Sequence, residues 1–200
     1  MAAAAVASMS EHLRNLTAEV LSDNFRTLRK YSAEQQRRDG SWQPLVREVY
    51  GGDNGVAVLP YDPDRRSVVL IRQFRLPAFV NGAADGMLIE VPAGLLDGAD
   101  PLTRGRAEAL EETGLALGEM KIVGQAYTSP GSMTERVTLV IAKISAGSRV
   151  AEGGGVVEEA EDIEVLEMDF DAALGMIATG EICDAKTIML LQHLRLAGIM

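Results

Sequence analysis

The chain has 200 residues, 47% of them hydrophobic and 24% charged, which is enough for one sizeable core plus an appendage and excludes a disordered chain. Nineteen basic residues against 29 acidic ones leave a formal net charge of −10, which excludes nucleic acid and anionic membrane as main partners. An anionic substrate would need metal ions and a few placed cations to be held here. Cys183 is the single cysteine, so no internal disulfide is expected and a reducing cytoplasm is the expected compartment. With only His12 and His193 beside it, a zinc site is not expected.

No apolar run approaches the ~20 residues of a membrane span. The opening MAAAAVAS is short and lacks a basic region, unlike a signal peptide. Met9 reads as the natural start, and residues 1–9 as a disordered or extraneous tail. Residues 10–21 read equally as a short helix or a strand. From Phe25 to Tyr50 the text reads as extended segments around polar turns, with a hairpin signal at Arg38-Asp39-Gly40 and alternation in LVREVY. Residues 10–51 are therefore expected to form a small antiparallel β unit, with a Gly-rich hinge over 51–55 leading into a main domain over 52–200.

In that domain VAVLPY and SVVLIRQFR read as strands joined by a turn at Asp62-Pro63-Asp64, the second apolar enough to be buried on both faces. LPAFVNGAADG reads as an irregular loop, and MLIEVPA as one strand delivering the chain to Gly94. A helix follows from Pro101, with Asp100 as N-cap and Gly114 as its stop. MKIVGQAYTS and RVTLVIAKI are strands around the SPGSMTE loop. Residues 146–162 are Gly-rich and acidic. Strand IEVLEM, helix DAALGMIATG and a last helix over about 184–196 complete a mixed sheet between helices.

The helix from Pro101 carries the chemistry. Glu108, Glu111 and Glu112, spaced three and four apart, share one side at ~100° per residue, with Leu102, Ala109 and Leu110 expected to cover the opposite side. Such carboxylates repel one another by some tenths of a kcal/mol per pair and suit a hard cation such as Mg²⁺. A solvated acidic face is the plainer reading of glutamates alone. Composition likewise favours a flexible acidic surface loop around Gly153-Gly154-Gly155. Lys186, near the start of the last helix, opposes the macrodipole by ~0.3–1 kcal/mol and reads either as an indifferent surface lysine or as a phosphate contact.

Residues Glu108-Ala109-Leu110-Glu111-Glu112-Thr113-Gly114-Leu115 resemble the end of the Nudix box, Gly, five residues, Glu, seven residues, Arg-Glu-aliphatic-x-Glu-Glu-x-Gly-aliphatic. The front departs from the pattern: the interval from Gly94 to Glu108 is one residue short, and Ala107 stands at the motif's arginine. Arg104 and Arg106 are the candidate replacements, and helical geometry favours Arg104. SDNFRTL, VREVY, NGVAVLPYD, VVLIRQFR, AGLLD, SPG, EDIEVLE and GEICDAKT extend the resemblance from Leu21 onward, toward the ADP-ribose and nucleotide-sugar pyrophosphatases of the Nudix family.

The resemblance implies an α/β fold, the Nudix α/β/α sandwich with a mixed sheet, preceded by the antiparallel β unit. It implies Mg²⁺, with Mn²⁺ as substitute, held by the Ala93 carbonyl, Glu108, Glu111, Glu112 and Glu161. Glu112 and a loop glutamate would be catalytic, Glu161 first and Glu159 second. Phe25, Arg47, Glu48, Arg75, Gly94, Leu95, Glu135 and Lys186 would contact substrate. The expected assembly is a homodimer with exchanged N-terminal β units. The expected reaction is pyrophosphate hydrolysis of a nucleoside diphosphate sugar, GDP-mannose first and ADP-ribose second. A non-catalytic nucleotide-sugar-binding module is the alternative, resting on Ala107.

Overall fold

The computed structural model describes residues 10–156 and 161–200. The expected tail over residues 1–9 and Glu159 lie outside the described residues. The chain divides into two compact units: residues up to Asp53 with Ser129–Glu135, and Asn54–Thr128 with Arg136–Met200.

In the first unit β1 (Leu13–Asp23), β2 (Thr27–Gln36) and β3 (Trp42–Tyr50) form an antiparallel sheet in the order β1-β2-β3. The ambiguous stretch from residue 10 is thus mostly strand. Paired side chains across the ladder account for this: Arg14 meets Glu34 at 3.0 Å, its guanidinium lies 4.2 Å from the Trp42 ring centre, and Lys30 meets Glu19 at 3.0 Å. The β2–β3 turn closes with Gly40 at φ +82, where only glycine is unstrained. No residue of the three strands is buried. The SPGSMTE loop belongs to this unit rather than to the main domain. Tyr50 N donates to the Ser132 carbonyl at 2.8 Å, and Gly52 N to Thr134 Oγ1 at 3.2 Å.

The second unit holds β4 (Gly55–Asp62), β5 (Ser67–Phe74), α1 (Leu76–Val80), β6 (Met87–Glu90), β7 (Ala93–Leu95) and α2 (Pro101–Thr113). It continues with β8 (Met120–Tyr127), β9 (Arg136–Lys143), β10 (Glu164–Asp169), α3 (Phe170–Thr179) and α4 (Ala185–Leu196). Its seven-stranded sheet runs β10-β5-β4-β9-β8, with β6 on β5 and β7 on β4. The β4–β9 pair is parallel and the others are antiparallel, so the sheet is mixed.

Strand alternation sorts the two faces. Val56 and Val58 of β4 join Val140, Ala142 and Ala109 in one core, under α2. Ala57 and Leu59 join Leu139, Ile141, Phe170, Leu190, Leu191 and Leu194 in the other, under α3 and α4. Complete burial of a leucine such as Leu190 is worth about 1.5–3 kcal/mol. The result is the α/β/α sandwich with a preceding β unit that the sequence predicts. Val68 to Ile71 are at most 1% exposed, as expected for a strand covered on both faces.

Two local expectations change. The presumed loop after β5 contains the short helix α1, started by Pro77 in its first turn. MLIEVPA is two strands: Glu90 pairs with Ile71 of β5, whereas Ala93 pairs with Ala57 of β4. Pro92 has no N–H for a ladder, but its carbonyl accepts from Val58 N at 2.9 Å, so the chain crosses there from one strand's edge to the next. Among the described residues no helix is long and apolar enough to cross a membrane.

Candidate active site

The acidic helix is set by its ends. Asp100 Oδ1 accepts from Leu102 N and Thr103 N, each at 3.1 Å, and Gly114 closes the C-terminus in the left-handed region at φ +71. Its small residues decide which side goes inward. A Cβ on Gly105 would lie 2.8 Å from Val58 Cγ2, and Ala109 is fully buried, so this stripe lies against β4. Glu108 and Glu112 flank it three and seven residues on from Gly105 and are carried inward, 5% and 2% exposed. Leu110, expected in the core, is 42% exposed, and Glu111 is exposed. The glutamates therefore do not share one solvated face.

β7 lies against the two buried carboxylates. Glu112 Oε2 accepts from Ala93 N at 3.1 Å. Gly94 must be glycine, because a Cβ there would stand 1.7 Å from Glu108 Oε1. Arg104 Nη2 approaches that oxygen to 2.6 Å as an ion pair, without the alignment of a hydrogen bond, and Arg104 Nε donates to the Leu95 carbonyl at 3.1 Å. The Glu108 Oε1 atom is thus buried with the Arg104 guanidinium as its charge partner. Glu111 Oε2 is 4.0 Å from Arg104. Arg106 turns away and donates to the carbonyls of Leu117 and Gly118. Of the two candidate arginines, Arg104 is therefore the one that meets Glu108.

Burial sets the electrostatics. It pushes Glu108 up to about 7, helped by Glu111 and Glu161 and opposed by Arg104. It pushes Glu112 up to about 9, helped by Glu108 and Glu161 and opposed by the Ala93 N–H and Arg75. Two buried carboxylates one helical turn apart fit a divalent cation. Among the described residues no three acidic, histidine or cysteine side chains converge closely enough to enclose one by themselves. That donor set suits Mg²⁺, which commonly takes one or two carboxylates and completes its shell with water and substrate phosphate.

The described part of the Gly-rich loop is docked on this helix rather than lying free on the surface. Gly154 N donates to the Glu112 carbonyl at 2.9 Å and Gly155 N to the Glu111 carbonyl at 3.1 Å. Arg149 Nη1 reaches the Thr113 carbonyl at 3.0 Å. These bonds satisfy the open C-terminal carbonyls of α2. Gly153, at φ +78, passes so close that a Cβ would be 2.7 Å from the Glu112 carbonyl oxygen. Beyond Val156, Glu161 turns back, and its Oε2 accepts from Val156 N at 2.9 Å.

Two of the expected contacts, Arg75 and Lys186, meet at a buried acid that the sequence does not single out. Glu90, 3% exposed, accepts from Arg75 Nε at 2.7 Å and from Lys186 Nζ at 3.2 Å. Lys186 also donates to Asp184 Oδ1 at 2.7 Å. Burial would lower the Lys186 ammonium, but Glu90 and Asp184 overcome this and hold it above its ordinary value. The available signal was an acid inside the apolar run MLIEVP.

The remaining expected contacts lie in the first unit. Phe25 is 85% exposed, at the β1–β2 turn. Arg47 Nη1 donates to the Val46 carbonyl at 2.7 Å, Glu48 stands opposite Lys30, and Glu135 lies 3.6 Å from Arg26.

Comparison with known proteins bears on both units. A family model described as the GDP-mannose pyrophosphatase NudK N-terminal domain matches residues 12–50. A GDP-mannose pyrophosphatase of Cronobacter sakazakii is 50% identical over 192 residues, 96% of this chain and 100% of that one. Those of an Enterobacter species and of Shigella flexneri serotype 5b are 47% and 45% identical over the same shares. With the acidic helix folded under its glycine turn and relatives this similar from end to end, the chain belongs to the GDP-mannose pyrophosphatase family of Nudix hydrolases.

Proposed function

We propose that this protein hydrolyses nucleoside diphosphate sugars in a divalent-metal-dependent reaction, with GDP-mannose as substrate and GMP and mannose 1-phosphate as products. The observation that carries the reading is the buried Glu108–Glu112 pair beneath Gly94, two carboxylates whose burial disfavours their charge. The names of the family members support the substrate.

Glu108, Glu112 and Glu161, with the Ala93 carbonyl, would hold Mg²⁺ or in its place Mn²⁺, and Glu111 would stand on the margin of that set. A cation bound there would neutralise the diphosphate and make a water molecule more acidic. Arg104 orients Glu108, and the Ala93 N–H orients Glu112. Water adds to one phosphorus, the bridging P–O bond breaks, and the proton leaves to a carboxylate, Glu161 or its alternative Glu159. Arg75, on the substrate side, and Lys186 are the phosphate contacts, and the Gly94–Leu95 backbone lines the turn.

The proposed assembly is a homodimer in the cytoplasm, in which Arg47 and Glu48 complete the neighbour's site, while Phe25 packs near the base and Glu135 contacts substrate. The support is a three-stranded sheet with no residue of its strands buried within one chain. ADP-ribose is the second substrate to test. Against the non-catalytic alternative stands the Arg104–Glu108 pair, a guanidinium on that carboxylate despite Ala107. Release of phosphomonoester from GDP-mannose, with and without Mg²⁺, tests the reading. No metal-dependent release from either compound would refute it.

A further inference from the structure

Glu90 sits at the end of β6, where the chain leaves β5, and its two oxygens are divided between two cations. Oε2 takes Arg75 Nε at 2.7 Å and Oε1 takes Lys186 Nζ at 3.2 Å. The arrangement is braced from the first turn of α4. Asp184 Oδ1 accepts from Lys186 at 2.7 Å, while its Oδ2 accepts from Thr187 N at 2.9 Å and from the Thr187 hydroxyl at 2.7 Å. That hydroxyl accepts in turn from Val91 N at 2.8 Å, the residue after Glu90, so the polar circuit closes on itself.

Stability alone is a weak explanation for such a circuit. A buried ion pair seldom outperforms apolar residues of the same volume, because desolvation offsets much of the attraction. Exposure is also unequal along it. The side chain of Glu90 is 4% exposed and that of Lys186 16%, but that of Arg75 is 39% exposed. The carboxylate thus holds the guanidinium at Nε, while the Arg75 side chain as a whole stays well exposed, and its charge is felt at Glu112. A planar fork held by one edge is a preorganised ligand for phosphate oxygens, and holding it fixed reduces the entropy lost on binding.

We propose that Glu90 is a positioning residue that holds Arg75, with Lys186 beside it, in the orientation that receives the diphosphate of the substrate. The inference rests on the substrate class proposed above. Without Glu90, two cations would face each other with only Asp184 to offset them, and Arg75 would lose its fixed edge.

The test is a calorimetric titration of the full-length protein with inorganic pyrophosphate in Mg²⁺, combined with steady-state hydrolysis of GDP-mannose. Glu90→Gln is expected to weaken pyrophosphate binding about tenfold, but less than about twofold when Arg75→Ala is already present, because the two residues act through one contact. In hydrolysis the loss should fall mainly on KM. Equal losses in both backgrounds, or no loss, would overturn the proposal. Arg75→Lys keeps the charge on a well-exposed side chain but removes the Nε–H that Glu90 holds, and it should weaken binding as much as Glu90→Gln. Wild-type affinity in Arg75→Lys overturns the proposal even if Glu90→Gln fails to fold. Non-additive pyrophosphate losses without GDP-mannose turnover by the wild type would sustain the role of Glu90 and reject the substrate reading.

Discussion

Two pairs of acidic residues, one pair in each unit, behave in opposite ways. In the first unit Glu34 is held below its ordinary value by hydrogen bonds from Arg14 and Asn15, and Asp39 by Ser41, both at the open surface. In the second, burial drives Glu108 and Glu112 upward. Water and flexible partners satisfy the first pair, so they lend little to stability and nothing to chemistry. The second pair is held against its own solvation by a packed core, a tension that a bound cation would relieve. The difference between them lies in which residues surround the carboxylate.

Removing one carboxylate from the buried pair tests this contrast most severely. Glu112→Gln should lower GDP-mannose turnover by at least about a hundredfold, on the scale of a lost acid–base or metal-binding group, while circular dichroism stays that of the wild type. Near-normal turnover in saturating Mg²⁺ would erase the distinction between the two acid environments.

Filling the glycine cradle is the next step down. Gly94→Ala places a methyl where Glu108 Oε1 stands, and overpacking of this kind should cost about 1–3 kcal/mol in a denaturant titration. Turnover should fall with it, whereas Gly124→Ala, where a Cβ meets nothing within 4 Å, serves as the control.

Protonation sharpens the contrast further. The folded-state values of Glu108 and Glu112 are raised, so between the ordinary 4.5 and about 7 to 9 the folded protein binds more protons than the unfolded one. Their contribution to metal-free stability is therefore complete below 4.5 and is lost as pH rises through about 7 and then about 9. Melting curves in EDTA should show that decline, and Mg²⁺ should flatten it by favouring the ionised carboxylates. A metal-free melting temperature that climbs from pH 5 to 9 would contradict the burial effect. The smallest effect belongs to the first unit, where Glu34→Gln should leave the melting temperature unchanged at neutral pH within measurement error.

Much of the frame was legible in the chain. Asp100, Pro101 and Gly114 delimit the helix by backbone chemistry that needs no tertiary context. The apolar run of β5 declares its own burial. The inward turn of Glu108 and Glu112 was not readable from spacing alone, because spacing fixes which residues share a side and not which side faces the sheet. Gly105 and Ala109 decide that, by allowing close approach to Val58. The division of MLIEVPA and the partners of Glu90 depend on contacts between residues far apart in sequence, as in Glu90 with Lys186. The Gly-rich loop misled composition because its glycines permit tight docking as readily as disorder.

The crossing at Pro92 acts as a fixed ruler. Glu90 is stitched to β5 and Ala93 to β4, so the span between the cation clamp and the glycine turn is pinned at both ends by hydrogen-bond ladders. Length changes that the 81–86 connection would absorb have nowhere to go in these few peptide units. Insertions in this family should therefore collect on either side of the Val91–Pro92 step and leave its residue count untouched.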